Sequence, residues 1–307
     1  MSRRRKGLPV SGWLNVDKPL GMSSAHVVAV ARRVLNAAKV GHGGTLDPFA
    51  SGVLPLAFGE ATKTVPWVMD GEKTYAFTVR WGEARDTDDQ EGVVVATSDV
   101  RPDVAAIEAV LPRFVGDIVQ VPPAYSAVKV DGRRAYDLAR ADVEVSLKPR
   151  TVRVHAFELV DIPGPDEASF HVVAGKGTYV RSLARDLAAA LGTCGYVSAL
   201  RRLSCGPFRA ADAIPLDILR TLEQDTAALR LLPVEAALDD IPVVPLTEEE
   251  ARRLSQGQAL SLMSIQDRSG GEPLSEGETV QALLDGRIVA LAQVSRGALR
   301  SLRGFVS

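Results

Sequence analysis

YAFTVRW, residues 75–81, alternates without exception: Tyr75, Phe77, Val79 and Trp81 fall on one face, Ala76, Thr78 and Arg80 on the other. Successive side chains of a strand point to opposite faces, so this pattern predicts a strand with one face on a core. Downstream, ARDTDDQEG (84–92) reads as a solvated acidic turn, and GVVVA (92–96) is expected to pair back with 75–81 across it. SFHVVAG (169–175) reads as a further strand. Upstream, WLNVDKPLGMSS (13–24) reads as a short strand, a Lys-Pro and Gly turn, and Ser24 as helix N-cap. The helix that follows sets Val27, Val30, Ala31, Val34 and Leu35 at helical spacing. VAAIEAVLPRF (104–114) reads as a helix ending near Pro112. Residues 181–191 read as another, with Leu183, Leu187 and Leu191 on one face and Gly192 as its stop. Strands and helices alternate unevenly, which predicts an α+β fold with a largely antiparallel sheet.

The 307 residues are 46% hydrophobic and 24% charged, enough for a large domain and a small one. Around residue 241 the texture changes. Thr247 and Glu250 form a capping-box pattern, and TVQALLDGRIVALAQV (279–294) is a hairpin around Asp285-Gly286. We therefore divide the chain into 1–241 and a small β-rich domain, 242–307. The two cysteines, Cys194 and Cys205, read as buried reduced thiols. No apolar run is long enough to span a membrane and no signal-peptide core is evident, so a cytoplasmic protein is expected.

Charge is local. The net charge is −2, yet residues 129–153 carry seven basic side chains against four acidic ones, and residues 3–6 are all basic. On charge alone such a stretch is a solvated face or a nucleic-acid contact. The four histidines are scattered and the cysteines unpaired, so no zinc site is expected. No phosphate-binding P-loop occurs, GHGG (41–44) lacks the dinucleotide spacing, and 84–92 lacks the calcium-loop pattern.

The chemistry points to GHGGTLDPFASGVLP (41–55). One carboxylate, Asp47, stands before Pro48, which holds it toward extended backbone, and Gly41, Gly43, Gly44 and Gly52 permit close approach or positive φ. The pattern suits a carboxylate held at the rim of a cavity. It equally suits a turn in which Asp47 caps a backbone group.

This stretch, continued as LAFGEATK, resembles the active-site motif of the TruB-type tRNA pseudouridine synthases, which isomerise uridine 55 in tRNA. NVDKPLGMSS, EKTYAFTVRWGEARDTDDQEG, VPPAYSAVKVDGRRAYDLAR, GKGTYVRSLARDL and ALRRLSCGPF resemble further blocks of that family in order. The resemblance implies a pseudouridine-synthase-like mixed, largely antiparallel sheet with surrounding helices, plus a PUA-like RNA-binding domain at 242–307. It implies that Asp47 is the catalytic carboxylate, attacking uracil carbon 6 or ribose carbon 1, or abstracting a sugar proton. Arg181 is then its cationic partner, although a helix N-terminus disfavours a cation. Tyr75 stacks on the extruded base and helps to remove the carbon 5 proton. Tyr179 and Leu200 line the pocket, His42 contacts the RNA stem-loop, and Lys18 supports the catalytic loop or meets a phosphate. Residues 125–153 would be the insertion that grips RNA. No metal, cofactor or obligatory protein partner is implied. The partner is the T-arm of tRNA, and a monomer is expected.

Overall fold

The computed structural model describes residues 7–126, 129–130, 133–134, 147–265, 268 and 273–305. The expected RNA-gripping insertion, 125–153, falls largely outside them. A ten-stranded sheet dominates. Its main path runs Ile214–Pro215, Gly12–Lys18, Ser51–Phe58, Gly195–Cys205, Lys73–Trp81, Glu167–Ala174, Arg150–Gly164 and Gly116–Gln120. The pairs Gly12–Lys18 with Ile214–Pro215 and Ser51–Phe58 with Gly195–Cys205 are parallel. The other pairs along that path are antiparallel, so the sheet is mixed but mostly antiparallel.

The alternating strand sits near the middle. Phe77, Val79 and Trp81 are buried, and Phe77 stacks on Phe170 with ring centroids 5.4 Å apart. The helices Ser24–Val34 and Val180–Ala190 cover this face, contributing Val27, Val30, Leu183 and Leu187 to the core. Ser51–Phe58 is buried on both sides. Leu54, Leu56 and Phe58 face the helices, while Val53 and Ala57 join Trp13, Val68 and Phe208 in a second cluster beneath. That two-sided burial explains why SGVLPLAF reads as an almost continuous apolar run.

A separate five-stranded sheet, ordered Val243–Pro245, Thr279–Leu284, Arg287–Ser295, Ala298–Gly304 and Leu260–Ser261, has its own core around Val244, Leu254 and Val280. Its Ile288 and Leu291 complete the cluster under Trp13. The Asp285-Gly286 turn takes positive φ at both residues, as a tight hairpin requires. The Thr247–Glu250 capping box is formed.

Four expectations about secondary structure and cysteine burial need correction. Ser23 is the N-cap, accepting from His26 N, because it has extended backbone; Ser24 is the first helical residue. Val94–Thr97 pairs with Glu83–Arg85 in a small ribbon, not with 75–81, whose two neighbours are Glu167–Ala174 and Gly195–Cys205. The 104–114 segment is an α-helix only to Val110 and then a 3-10 turn. Cys205 is buried as expected, but Cys194 is partly exposed. Among the described residues no helix is long and apolar enough to cross a membrane.

Two stability predictions follow from packing and charge. A Cβ on Gly52, at φ 103°, would lie 2.2 Å from the backbone oxygen of Arg202. Gly52→Ala should therefore destabilise the protein by about 3 kcal/mol or more in urea unfolding. The Arg268 guanidinium and the Thr247 cap hold the Glu250 carboxyl at about 2, below its usual 4.5. A depressed acid stabilises fully above its unfolded pKa and loses that contribution as pH falls through its folded one. Glu250→Gln should flatten the pH dependence of unfolding between 4.5 and 2.

Candidate active site

Asp47 lies on a loop between the strands Val40–His42 and Ser51–Phe58 that is tied down on both sides. Ser24 Oγ donates to Leu46 O and accepts from Leu46 N, both at 2.8 Å. Lys18 is fully buried, and its Nζ donates to Pro19 O (2.9 Å), Met22 O (2.6 Å) and Pro48 O (3.3 Å). Burial lowers the Lys18 amine to about 8, opposed by the charge of Asp47. Arg202, also buried, donates to Val53 O (2.7 Å) and Gly44 O (3.0 Å). The loop is thus pinned at residues 44, 46, 48 and 53, bracketing Asp47. Of its glycines, Gly44 and Gly52 have positive φ and Gly43 packs against Val68; Gly41 has neither need.

Arg181 meets Asp47. Its Nη2 is 2.8 Å from Asp47 Oδ2, and its Nη1 is 3.2 Å from Asp89 Oδ2. The guanidinium also donates to Thr87 O (3.0 Å) and Tyr125 O (2.9 Å). The arginine side chain is 5% exposed and Asp89 4%, whereas Asp47 is 39% exposed. One carboxylate is therefore sunk beneath the cation and the other left open to the cavity. Burial raises the Asp89 carboxyl, partly offset by the Thr87 hydroxyl and Arg181.

The 84–92 turn is therefore only partly the solvated acidic turn that its charge pattern suggested: Asp86, Gln90 and Glu91 are exposed, but Asp89 is buried. Asp88, in the left-handed region at φ 59°, pairs with Arg185 at 2.9 Å. Burial lifts Asp88 to about 6 despite that partner. Asp89 was missed as a site residue. The available signal was a matched pair: adjacent acids at 88 and 89, and arginines four apart at 181 and 185 on one helix face. Gln120 was missed as well. Buried at the end of its strand, its side-chain amide accepts from Tyr179 N (2.8 Å) and donates to Tyr179 O (3.1 Å), clamping the residue that opens the Arg181 helix.

Two cavities meet at Asp47. The inner one, about 160 Å³, is lined by Asp47, Tyr75, Ser126, Tyr179, Arg181 and Leu200 among others. At ~30 Å³ of liquid volume per water, it has room for a single flat ring. The outer one, about 620 Å³, is lined by His42, Ser23, Asp86 and Asp89, and again by Asp47 and Arg181. Sheet register supplies two of the inner walls: Arg202 stands directly opposite Tyr75, and Leu200 opposite Phe77. Burial raises the Tyr75 phenol, opposed by the charge of Arg202. Tyr179 lies under the Arg150 guanidinium, 4.9 Å from its ring centroid. His42 accepts from Gly44 N at 3.3 Å, and burial lowers its imidazole below the usual value. So the fold brings Asp47, Tyr75, Tyr179, Arg181 and Leu200 to one cavity. It places His42 at the outer chamber and Lys18 beneath the loop, away from both.

This arrangement coincides with a family match. Residues 32–180 match the model of the TruB family pseudouridylate synthase N-terminal domain, and 181–239 that of the tRNA pseudouridylate synthase B C-terminal domain. The tRNA pseudouridine synthase B of Rhodospirillum rubrum is 62% identical over 99% of both chains. That of Gluconacetobacter diazotrophicus is 53% identical over 97% of this chain and 98% of the relative. Among solved structures, a chain of a Cbf5-Nop10-Gar1 complex superposes with a TM-score of 0.75 at 26% identity, covering 100% of this chain and 91% of that one. Sequence, fold and site agree: the chain belongs to the TruB family of pseudouridylate synthases.

Proposed function

We propose that the chain isomerises uridine to pseudouridine at position 55, in the T-arm of tRNA, using Asp47 as the reacting carboxylate. The observation that carries this reading is the 2.8 Å Asp47–Arg181 contact at the junction of a base-sized chamber and a larger one. The two relatives described above bear the name of that activity.

A uridine in a stacked loop must be extruded to reach such a chamber, at a cost of a few kcal/mol. The inner walls offset this by enclosing the base. Tyr75 stacks on it, an interaction of ~1–3 kcal/mol. Burial keeps its phenol protonated, which favours the stacking role over that of proton acceptor at carbon 5. Tyr179 and Leu200 close the remaining walls. Asp47 then faces both the ring and the ribose, and it acts by attack at uracil carbon 6, by attack at ribose carbon 1, or by taking a sugar proton. Arg181 fixes the direction of the carboxylate, and the buried Asp89 fixes Arg181. His42, neutral at physiological pH, meets the RNA in the outer chamber. Lys18 acts by holding Pro48 rather than by meeting a phosphate, since its ammonium is wholly buried.

We assign RNA binding also to a PUA-like domain at 242–307, where Arg287, Arg300 and Arg303 are exposed on neighbouring strands. The same reading makes the chain a monomeric cytoplasmic enzyme that acts on tRNA without a protein partner or cofactor. Turnover of an unmodified tRNA transcript by the purified chain tests this.

The chemical roles are tested by tritium release from tRNA labelled at uracil carbon 5. Asp47→Asn should abolish release, by on the order of a thousandfold or more, while tRNA affinity stays within about twofold. Loss of binding in parallel with activity would reassign Asp47 to RNA recognition. Arg181→Lys keeps the charge but loses the fork that spans two carboxylates. Its kcat should fall by about 10–100-fold with little change in KM; wild-type kcat would exclude the positioning role.

A further inference from the structure

Among the described residues, the inner and outer chambers share five in their linings: Thr45, Leu46, Asp47, Ser126 and Arg181. Four belong to the catalytic loop and its partner. The fifth, Ser126, is 4% exposed, and its Oγ is buried without a hydrogen-bond partner among the described residues. Native proteins leave few buried hydroxyls unpaired, because such a group has given up water for nothing in return. Ser126 is one of the residues at the throat that the two chambers share.

Its place is fixed relative to the reacting groups. Ser126 N donates to Ala124 O at 3.1 Å. The carbonyl of the adjacent Tyr125 accepts from Arg181 Nη2, the same nitrogen that holds Asp47. Hydroxyl, guanidinium and carboxylate are therefore tied together through one short piece of backbone.

Connectivity decides what meets the hydroxyl. This step rests on reading the inner chamber as the uracil pocket. With the base inside and the phosphates in the open chamber, the ribose occupies the throat. Its free hydroxyl there is the 2′-OH, which both donates and accepts, as a serine does. We propose that Ser126 Oγ hydrogen-bonds the 2′-hydroxyl of the target uridine and so distinguishes ribose from deoxyribose at this one nucleotide. Among the described residues the hydroxyl is unpaired, as expected if its partner arrives with the RNA.

The test crosses two changes: wild type and Ser126→Ala, each with T-arm stem-loops carrying uridine or 2′-deoxyuridine at the target position. Affinity is measured by competition for all four combinations, and turnover for uridine. Either change alone should weaken binding by up to about tenfold, and both together no more than either alone. Ser126→Thr, which restores a hydroxyl, should recover most of the loss on the uridine substrate. Additive losses, or a Ser126→Ala protein that binds both substrates as wild type does, would overturn the contact. The deoxyuridine arm with wild-type protein needs no mutation, so a folding defect in the variant cannot mimic the expected pattern. Failure of wild type to turn over the uridine stem-loop would instead overturn the uracil-pocket reading.

Discussion

One guanidinium organises this site. Arg181 is buried in the first turn of its helix, where the helix dipole opposes a cation, so its charge must be met by other groups. Asp47, Asp89 and the carbonyls of Thr87 and Tyr125 meet it. These four partners come from three segments distant in sequence. Satisfying the buried charge therefore fixes the positions of the Asp47 loop, the acidic turn and the 120–126 segment relative to one another. The division of labour between the acids follows from burial. Asp89, sunk beneath the guanidinium, neutralises; Asp47, open to the cavity, is available to react.

The sheet supplies the rigidity that this cluster needs. Tyr75 and Leu200 stand on neighbouring antiparallel strands, so register alone sets the distance between two walls of the inner chamber. The strand that ends the Asp47 loop is buried on both faces, by the helices above and by Trp13, Phe208 and the C-terminal Leu291 below. Buried cations then staple the loop to this frame: Lys18 at Pro48, Arg202 at Gly44 and Val53. A loop held at so many points presents its carboxylate with little conformational freedom left to lose on binding substrate.

Much of this was legible in the sequence, for local reasons. The period-two pattern of 75–81 survives because one face is core. The Asp285-Gly286 hairpin and the Thr247 capping box depend on adjacent residues alone. Asp47, Tyr75, Arg181, Tyr179 and Leu200 stood in motifs, and folding brings them together. What escaped depends on distant partners. The acidic turn looked solvated because its arginines lie on a helix far along the chain. The segment 92–96 looked like a partner for 75–81 because it was near, but long-range strands had taken both edges. Between two adjacent serines, only the extended backbone of Ser23 identified the cap. Gln120 clamps Tyr179 through two hydrogen bonds at the end of a strand, and Ser126 lines both chambers; neither placement is marked by a sequence pattern.

The central claim is that Asp47 and Arg181 act as one unit. A double-mutant cycle on single-turnover rate, using Asp47→Glu and Arg181→Lys with saturating tRNA, tests it directly. Both variants keep their charge, so what is compared is placement. If the two groups work through their mutual contact, the double variant will be much less impaired than the product of the single effects. Losses that simply multiply would show that Arg181 serves the reaction elsewhere, and that its contact with Asp47 is incidental to catalysis.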